Sequence, residues 1–82
     1  MTPEGYALAR TWAALAPLEV RAGLLAFLSD FEPHPAELKR AALELHRSGH
    51  FRAGQLTPEG VREAKEALYR VGHPPGSIGG EI

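Results

Sequence analysis

The side chains with the clearest chemistry in this sequence are the basic ones between residues 39 and 52. That stretch carries Lys39, Arg40, Arg47 and Arg52 against a single acid, Glu44. Lysine and arginine bind anionic groups, phosphates above all. The hydrophobic spacing before position 48 favours a helix whose outward face holds Lys39, Arg40, Leu43, His46 and Arg47. The chain is therefore polarised, although its net charge is only −1.

An ordinary explanation of the same pattern stays open. Glu44 lies four residues after Arg40 and three before Arg47, which is the spacing of ion pairs on a solvated helix face. The net charge of −1 also argues against a large nucleic-acid footprint, because nucleic-acid-binding domains are usually basic. The outward face is therefore either a binding surface or a solvated surface laced by ion pairs.

Catalytic and metal-binding chemistry has little support. The chain has no cysteine, its serines lie outside nucleophile motifs, and its Gly-rich end lacks the lysine and helix of a phosphate-binding loop. His46 and His50 are four residues apart, as in helical metal sites, but Gly49 is expected to end the helix between them. A third ligand, His34 or His73, would also be needed. We therefore expect no enzyme activity, no metal and no cofactor.

Length and composition favour one small helical domain. A chain of 82 residues buries only about 60% of the surface that it exposes when unfolded, so helix packing or self-association must support its core. Alanine and leucine are abundant, as in helical proteins. Asparagine is absent, which fits a thermophilic source, although a GC-rich genome would also favour the arginine and alanine content. No stretch is typical of a signal peptide or a membrane span, so we expect a cytoplasmic location without membrane contact.

Hydrophobic periodicity and helix start signals predict four helices, at about residues 3–16, 18–28, 36–48 and 58–71. The first and last begin with the same four residues, Thr-Pro-Glu-Gly, in which threonine is the expected N-cap and proline takes the first helical position. Residues 50–56 predict either a vestigial β-hairpin or an extended loop. The expected fold is a compact all-α, four-helix domain over 1–72, followed by an irregular tail over 73–82.

The helix over 18–28 is expected to lie at the centre of the domain. Its apolar residues cover most of its circumference, which is typical of a buried helix. The first helix is expected to pack around it through Leu8, Trp12, Leu15 and Ala16.

Apolar surface remains after this core is assigned. Ala7 and Ala14 lie on the other side of the first helix, and Leu43 lies on the outward face of the third. A monomer of this size does not hide so much apolar surface. We therefore expect Ala7, Ala14 and Leu43 to form a protein interface, in a homodimer or on a larger protein partner.

The order of elements from residue 36 to residue 71 resembles the end of winged-helix DNA-binding domains. A helix ending in His-Arg-Ser-Gly is followed by a short stretch over 50–55, and then by Leu56-Thr57-Pro58-Glu59-Gly60, which opens the next helix. In that family a recognition helix is followed by a β-hairpin wing, and Leu-Thr-x-x-Gly begins the helix after the wing. The resemblance implies that 18–28 and 36–48 are a helix-turn-helix pair.

The resemblance also implies which residues bind DNA. Lys39, Arg40, His46 and Arg47 would face the duplex, with Arg52 on a phosphate, and Arg40 and Arg47 would be the readers of base edges. The expected function is therefore a small DNA-binding transcriptional regulator of the helix-turn-helix type, which would act as a homodimer. The alternative is a non-enzymatic helical module for protein-protein interaction, which oligomerises or docks on a larger partner.

Overall fold

The computed structural model describes residues 1–72 of the chain. This part contains four α-helices and one two-stranded antiparallel sheet. The elements are α1 Pro3–Ala14, α2 Leu18–Leu28, a 3₁₀ turn Ser29–Phe31, α3 Pro35–Arg47, β1 Phe51–Arg52, β2 Gln55–Leu56 and α4 Pro58–Arg70. The predicted four-helix domain with a vestigial hairpin is confirmed, although α1 ends two residues earlier than expected. The tail predicted over 73–82 lies outside the described residues.

Side-chain caps start three of the four helices. The hydroxyl oxygens of Thr2 and Thr57 accept hydrogen bonds from the N–H groups of Gly5 and Gly60, at 3.0 and 3.3 Å. Each bond satisfies a backbone donor that has no partner within its helix. At the start of α3, Nδ1 of His34 accepts from the N–H two residues on, at 3.1 Å. His34 is thus a capping residue, a role that the sequence analysis did not identify.

Helix α1, and not α2, lies at the centre of the fold. α1 packs against α2, α3 and α4 and also contacts β2, whereas α2 packs chiefly on α1. Five residues of α1 are buried, against Leu24 and Leu28 alone in α2. Three of the five are alanines, whose small side chains let several helices approach one axis. The prediction that residues 18–28 form the central helix is therefore wrong, because α2 is apolar all round without being covered all round.

The core consists of two clusters that share Trp12 and Leu38. One cluster joins α1, α2 and α4, and its buried members are Tyr6, Ala9, Ala13, Ala16, Leu24, Leu28 and Leu68. The other joins α1, α3 and α4 and also packs on the hairpin, and its members are Ala7, Leu8, Leu45 and Ala64, with Phe51 and Leu56 half-buried against them. The second cluster therefore links α3 and the hairpin to the centre of the domain.

The helices of this core are short. No helix within residues 1–72 combines the length and the apolar content that crossing a lipid bilayer requires.

α4 lies close along α1, since a Cβ atom at Gly5 would come 3.2 Å from the Cβ of Ala67. The close approach of α1 and α4 leaves the other flank of α1 for α3 and the hairpin.

Candidate nucleic-acid interface

The outward side of α3 carries basic residues. α3 turns Ala41 and Leu45 into the core, with Leu38 and Ala42 half-buried beside them. The opposite side is exposed, and we call four of its residues the α3 face, Lys39, Arg40, Leu43 and Arg47. Glu44 and His46 are exposed beside them. Three cations and one leucine on one helix surface offer contacts to phosphates and to one apolar group.

Among the described residues, one cation of the α3 face, Arg47, forms an ion pair. Nη1 of Arg47 lies 3.2 Å from Oε2 of Glu44, and both side chains are more than half exposed. An exposed pair of this kind stabilises a helix by about 0.3–0.5 kcal/mol and opens readily. Arg40 and Lys39 form no ion pair or hydrogen bond with any residue in 1–72. The explanation by surface ion pairs therefore applies to Arg47 and not to Arg40.

His46 lies at the edge of the α3 face, beside the hairpin. Its ring meets that of Phe51 edge-on, with the two centroids 5.6 Å apart. His50 has a different partner, because its Nδ1 lies 2.6 Å from the hydroxyl oxygen of Ser48. Within residues 1–72, no three His, Asp or Glu side chains are grouped so as to hold a metal ion. The two histidines with metal-site spacing are thus engaged separately.

The segment after α3 is a hairpin and not an extended loop. Phe51 pairs with Leu56, and Arg52 pairs with Gln55. Both residues of the turn have positive φ values, 56° and 77°, as a type I′ turn requires. Phe51 and Leu56 pack on the core, so the alternation of a strand puts Arg52 on the other side, where it is exposed. Arg52 adds a fourth cation next to the C-terminal end of α3.

Thr57 ties the end of α3, the hairpin and the start of α4 together. Its hydroxyl donates to the carbonyl oxygens of Gly49 and His50, at 2.7 and 3.1 Å, and the same oxygen accepts from the N–H of Gly60. The backbone N–H of Thr57 also donates to the His50 carbonyl, at 2.9 Å. A Cβ atom at Gly60 would overlap that carbonyl oxygen. The Leu-Thr-x-x-Gly pattern therefore serves a structural purpose here, since the threonine supplies the bonds and the glycine leaves the room.

A groove of about 370 Å³ runs between α1 and α3 and reaches the hairpin. We call it the α1–α3 groove, and its lining residues are Ala7, Arg10, Thr11, Ala14, Leu38, Ala42 and Phe51. Two predicted interface residues lie here, although Ala7 is buried by the chain itself and only Ala14 is exposed. The third, Leu43, lies on the α3 face and not in the groove. Arg10, the one charged lining residue, was not singled out from the sequence.

A larger cleft of about 890 Å³ lies between α1 and the C-terminal ends of α3 and α4. Glu4, Glu44 and Glu63 line it, against Arg70 and His50. An excess of carboxylates repels phosphate groups. The carboxylates therefore make this cleft a poorer site for an anion than the α3 face and the hairpin.

The corner between α1 and α2 exposes large apolar side chains. Leu15 is 69% exposed, Leu18 is 76% exposed and Leu25 is 37% exposed. The prediction that Leu15 faces inward is wrong, because α1 ends at Ala14 and the chain turns there. Helical periodicity did not reveal the exposed side of α2, because a helix that is apolar on every side has no distinct inward face in its sequence.

Comparison with known proteins does not place the chain in a family. The chain matches no protein-family model, and no curated protein or solved structure is significantly similar to it.

Proposed function

We propose that this protein is a small DNA-binding regulator of the helix-turn-helix type, without a catalytic step. The observation that carries the proposal is the α3 face, with three cations on an exposed helix that leads directly into a hairpin with an exposed arginine. An α-helix fits the major groove of B-DNA, and cations beside it fit the phosphates. α3 then acts as the recognition helix and the hairpin as a short wing.

The cations of the interface differ in whether they are paired with an acid of the protein itself. Arg40 has no partner among residues 1–72, so its guanidinium is available for a bidentate contact with a guanine. Arg47 must first leave Glu44, to which it is weakly paired. Lys39 and Arg52 are the phosphate contacts of the proposal. Arg40 is therefore the residue that we expect to contribute most to the choice of sequence.

The neighbours of α3 favour a preorganised interface. α1 packs behind α3, and the bonds of Thr57 fix the hairpin against the end of α3. A surface that is already ordered loses little conformational entropy when it binds. The expected pairing of residues 18–28 with residues 36–48 is not a close one, since α2 packs chiefly on α1. In this proposal α1 therefore supports the recognition helix, and the helix-turn-helix type refers to the order of α2 and α3 in the chain.

Binding to a random DNA duplex, followed by fluorescence anisotropy at low and at moderate salt, tests the proposal. On a random duplex Arg40 and Arg47 have no preferred base to read, so all four cations of the interface can contact phosphates. Four such contacts in each protomer give a slope of about −3 to −4 for the logarithm of affinity against the logarithm of salt concentration. The variant Arg40→Ala/Arg47→Ala should weaken binding at least about tenfold.

The matched control is Arg62→Ala/Arg70→Ala on α4. Arg62 has no ion pair among residues 1–72, and Arg70 pairs with Glu66 at 3.3 Å, much as Arg47 pairs with Glu44. The control removes the same charge from another helix and should keep the affinity for DNA. The proposal fails if the folded protein does not bind DNA at low salt, or if both double variants weaken binding equally.

A protein-interaction module is the second candidate function, and Leu43 is the observation that favours it. Leu43 is 56% exposed between Arg40 and Arg47. Apolar side chains with arginine around them are typical of the centre of protein interfaces. For such a module we expect no DNA binding at low salt, together with loss of association, measured by sedimentation, in the variant Leu43→Ser.

A further inference from the structure

The α1–α3 groove is an apolar surface with a positive charge, and no element within residues 1–72 covers it. Its lining consists of alanine, leucine, threonine and phenylalanine side chains around Arg10. The Thr11 hydroxyl is already bonded, since it donates to the Ala7 carbonyl oxygen at 2.9 Å. Arg10 is exposed and has no ion pair among residues 1–72, and no carboxylate is present in the lining. The groove therefore suits an apolar segment that carries a negative charge.

The outward side of α2 has the complementary character. Leu18, Ala22 and Leu25 are exposed and lie four and three residues apart, so they form one stripe along the helix. We call these three residues the α2 stripe. Glu19 lies beside the stripe, is exposed, and has no ion pair in the described part of the chain. Arg21 does not pair with Glu19 in the described part of the chain. Its guanidinium donates to the carbonyl oxygen of Ala16, at 2.9 Å, and keeps its positive charge.

The two surfaces come close together along the chain. Ala14 closes one end of the α1–α3 groove, and the exposed Leu15 follows it at the corner that leads to Leu18. In an isologous dimer two different patches of one copy contact each other's counterparts reciprocally, so a stripe that lies on the groove of the second copy implies an identical second contact. Both apolar surfaces of each copy are covered at once in this arrangement, so no unpaired surface is left to extend into a filament.

We propose that two copies of this chain associate about a two-fold axis, with the α2 stripe of each copy in the α1–α3 groove of the other and Glu19 facing Arg10 of the second copy. Glu19 at the edge of the stripe is opposite in sign to Arg10, the charged residue that lines the groove. Arg40, Leu43 and Arg47 point away from the groove side of α3 and stay outside this interface. The dimer does not depend on DNA binding and is measured in its absence.

A charge-exchange series tests the pairing, with the mass of the full chain measured by sedimentation over a range of concentrations. Arg10→Glu and Glu19→Arg each place like charges together twice in the dimer, so each should weaken dimerisation at least about tenfold. The double variant Arg10→Glu/Glu19→Arg restores both contacts with the signs reversed and should recover most of the lost affinity. Leu18→Glu puts a charge in the apolar stripe and should leave only the monomer.

The control is Arg62→Glu, which reverses an exposed arginine on α4, outside both surfaces, and should leave the mass unchanged. Circular dichroism of every variant checks that the helices are intact. A natural chain that is monomeric at all concentrations overturns the proposal. So does a double variant that dimerises no better than the single ones, since Arg10 and Glu19 then do not meet, and so does an equal loss in the Arg62→Glu control.

Discussion

The outward sides of α2 and α3 are both exposed, yet they carry opposite chemistry. α2 presents the apolar stripe with Glu19 beside it and Arg21 bonded to the backbone, whereas α3 presents three cations around one leucine, with Glu44 paired to one of them. An apolar surface gains free energy when it leaves water, and cations gain it when they release counterions from an anionic polymer. The difference teaches that the surface proposed for a protein partner and the surface proposed for DNA are separate on this small domain.

The largest expected effect is the difference in unfolding free energy between a substitution on the inward side of α2 and one on its outward side. Leu28→Ala should lower the free energy of unfolding by about 2–4 kcal/mol, because it opens a cavity next to α1. Leu18→Ala should change it by less than about 0.5 kcal/mol in the monomer, since Leu18 is 76% exposed. Urea unfolding at low protein concentration measures both. Equal losses of stability in the two variants would mean that the outward side of α2 is packed in the monomer, and would contradict the exposure of Leu18.

The second prediction compares the glycines of the two Thr-Pro-Glu-Gly sequences. Gly60 belongs to the copy that supports the α3 face, and Gly5 belongs to the copy at the start of α1. Gly60→Ala should cost about 2 kcal/mol, because its Cβ would overlap the His50 carbonyl oxygen, which is backbone and does not rotate away. Gly5→Ala should stay within about 0.5 kcal/mol of the natural chain, since the gain in helix propensity offsets the contact at 3.2 Å with Ala67. Thermal unfolding compares the pair. A Gly60→Ala variant as stable as Gly5→Ala would contradict the tight junction at Thr57.

A third, smaller effect sharpens the electrostatics of α3. Glu44→Gln removes the carboxylate that pairs with Arg47, so affinity for a DNA duplex should rise about threefold at low salt. Glu66→Gln removes the partner of Arg70 on α4 and is the matched control. Anisotropy titrations should show no rise for this control. If Glu44→Gln lowers the affinity, Glu44 positions Arg47 for binding instead of restraining it.

The smallest effect leaves both surfaces unchanged. Ala53 has a φ of 56°, which strains a residue with a Cβ atom, and asparagine tolerates this conformation better. Ala53→Asn should raise the free energy of unfolding by about 0.5 kcal/mol without changing the mass or the DNA affinity. A loss of stability, measured by urea unfolding, would contradict the turn geometry.

The comparison of α2 with α3 also shows what sequence patterns can predict in this chain. α3 alternates apolar and charged residues at helical spacing, so its exposed outward side was predicted correctly. α2 has no such alternation, and its central position was predicted from apolar content alone. The number and approximate bounds of the helices follow from proline and threonine start signals, which act locally.

Other features depend on contacts between distant residues. The choice between hairpin and loop at 50–56 rests on the bonds of Thr57 and the packing of Phe51, which two-residue strands do not reveal in sequence. The role of Arg10 appears only when α1 and α3 lie side by side. His34 caps α3 through a ring nitrogen, and histidine is not among the usual capping residues.

The most direct test of the central claim is to map DNA binding residue by residue. Backbone amide chemical shifts of the full chain, recorded by NMR during titration with a short duplex at low salt, report which surface meets the DNA. We predict that the changes cluster between Lys39 and Arg52 and leave Leu18 to Leu25 unaffected. Changes centred on α2 or on the acidic cleft, or no changes at all, would contradict the assignment of the α3 face to DNA.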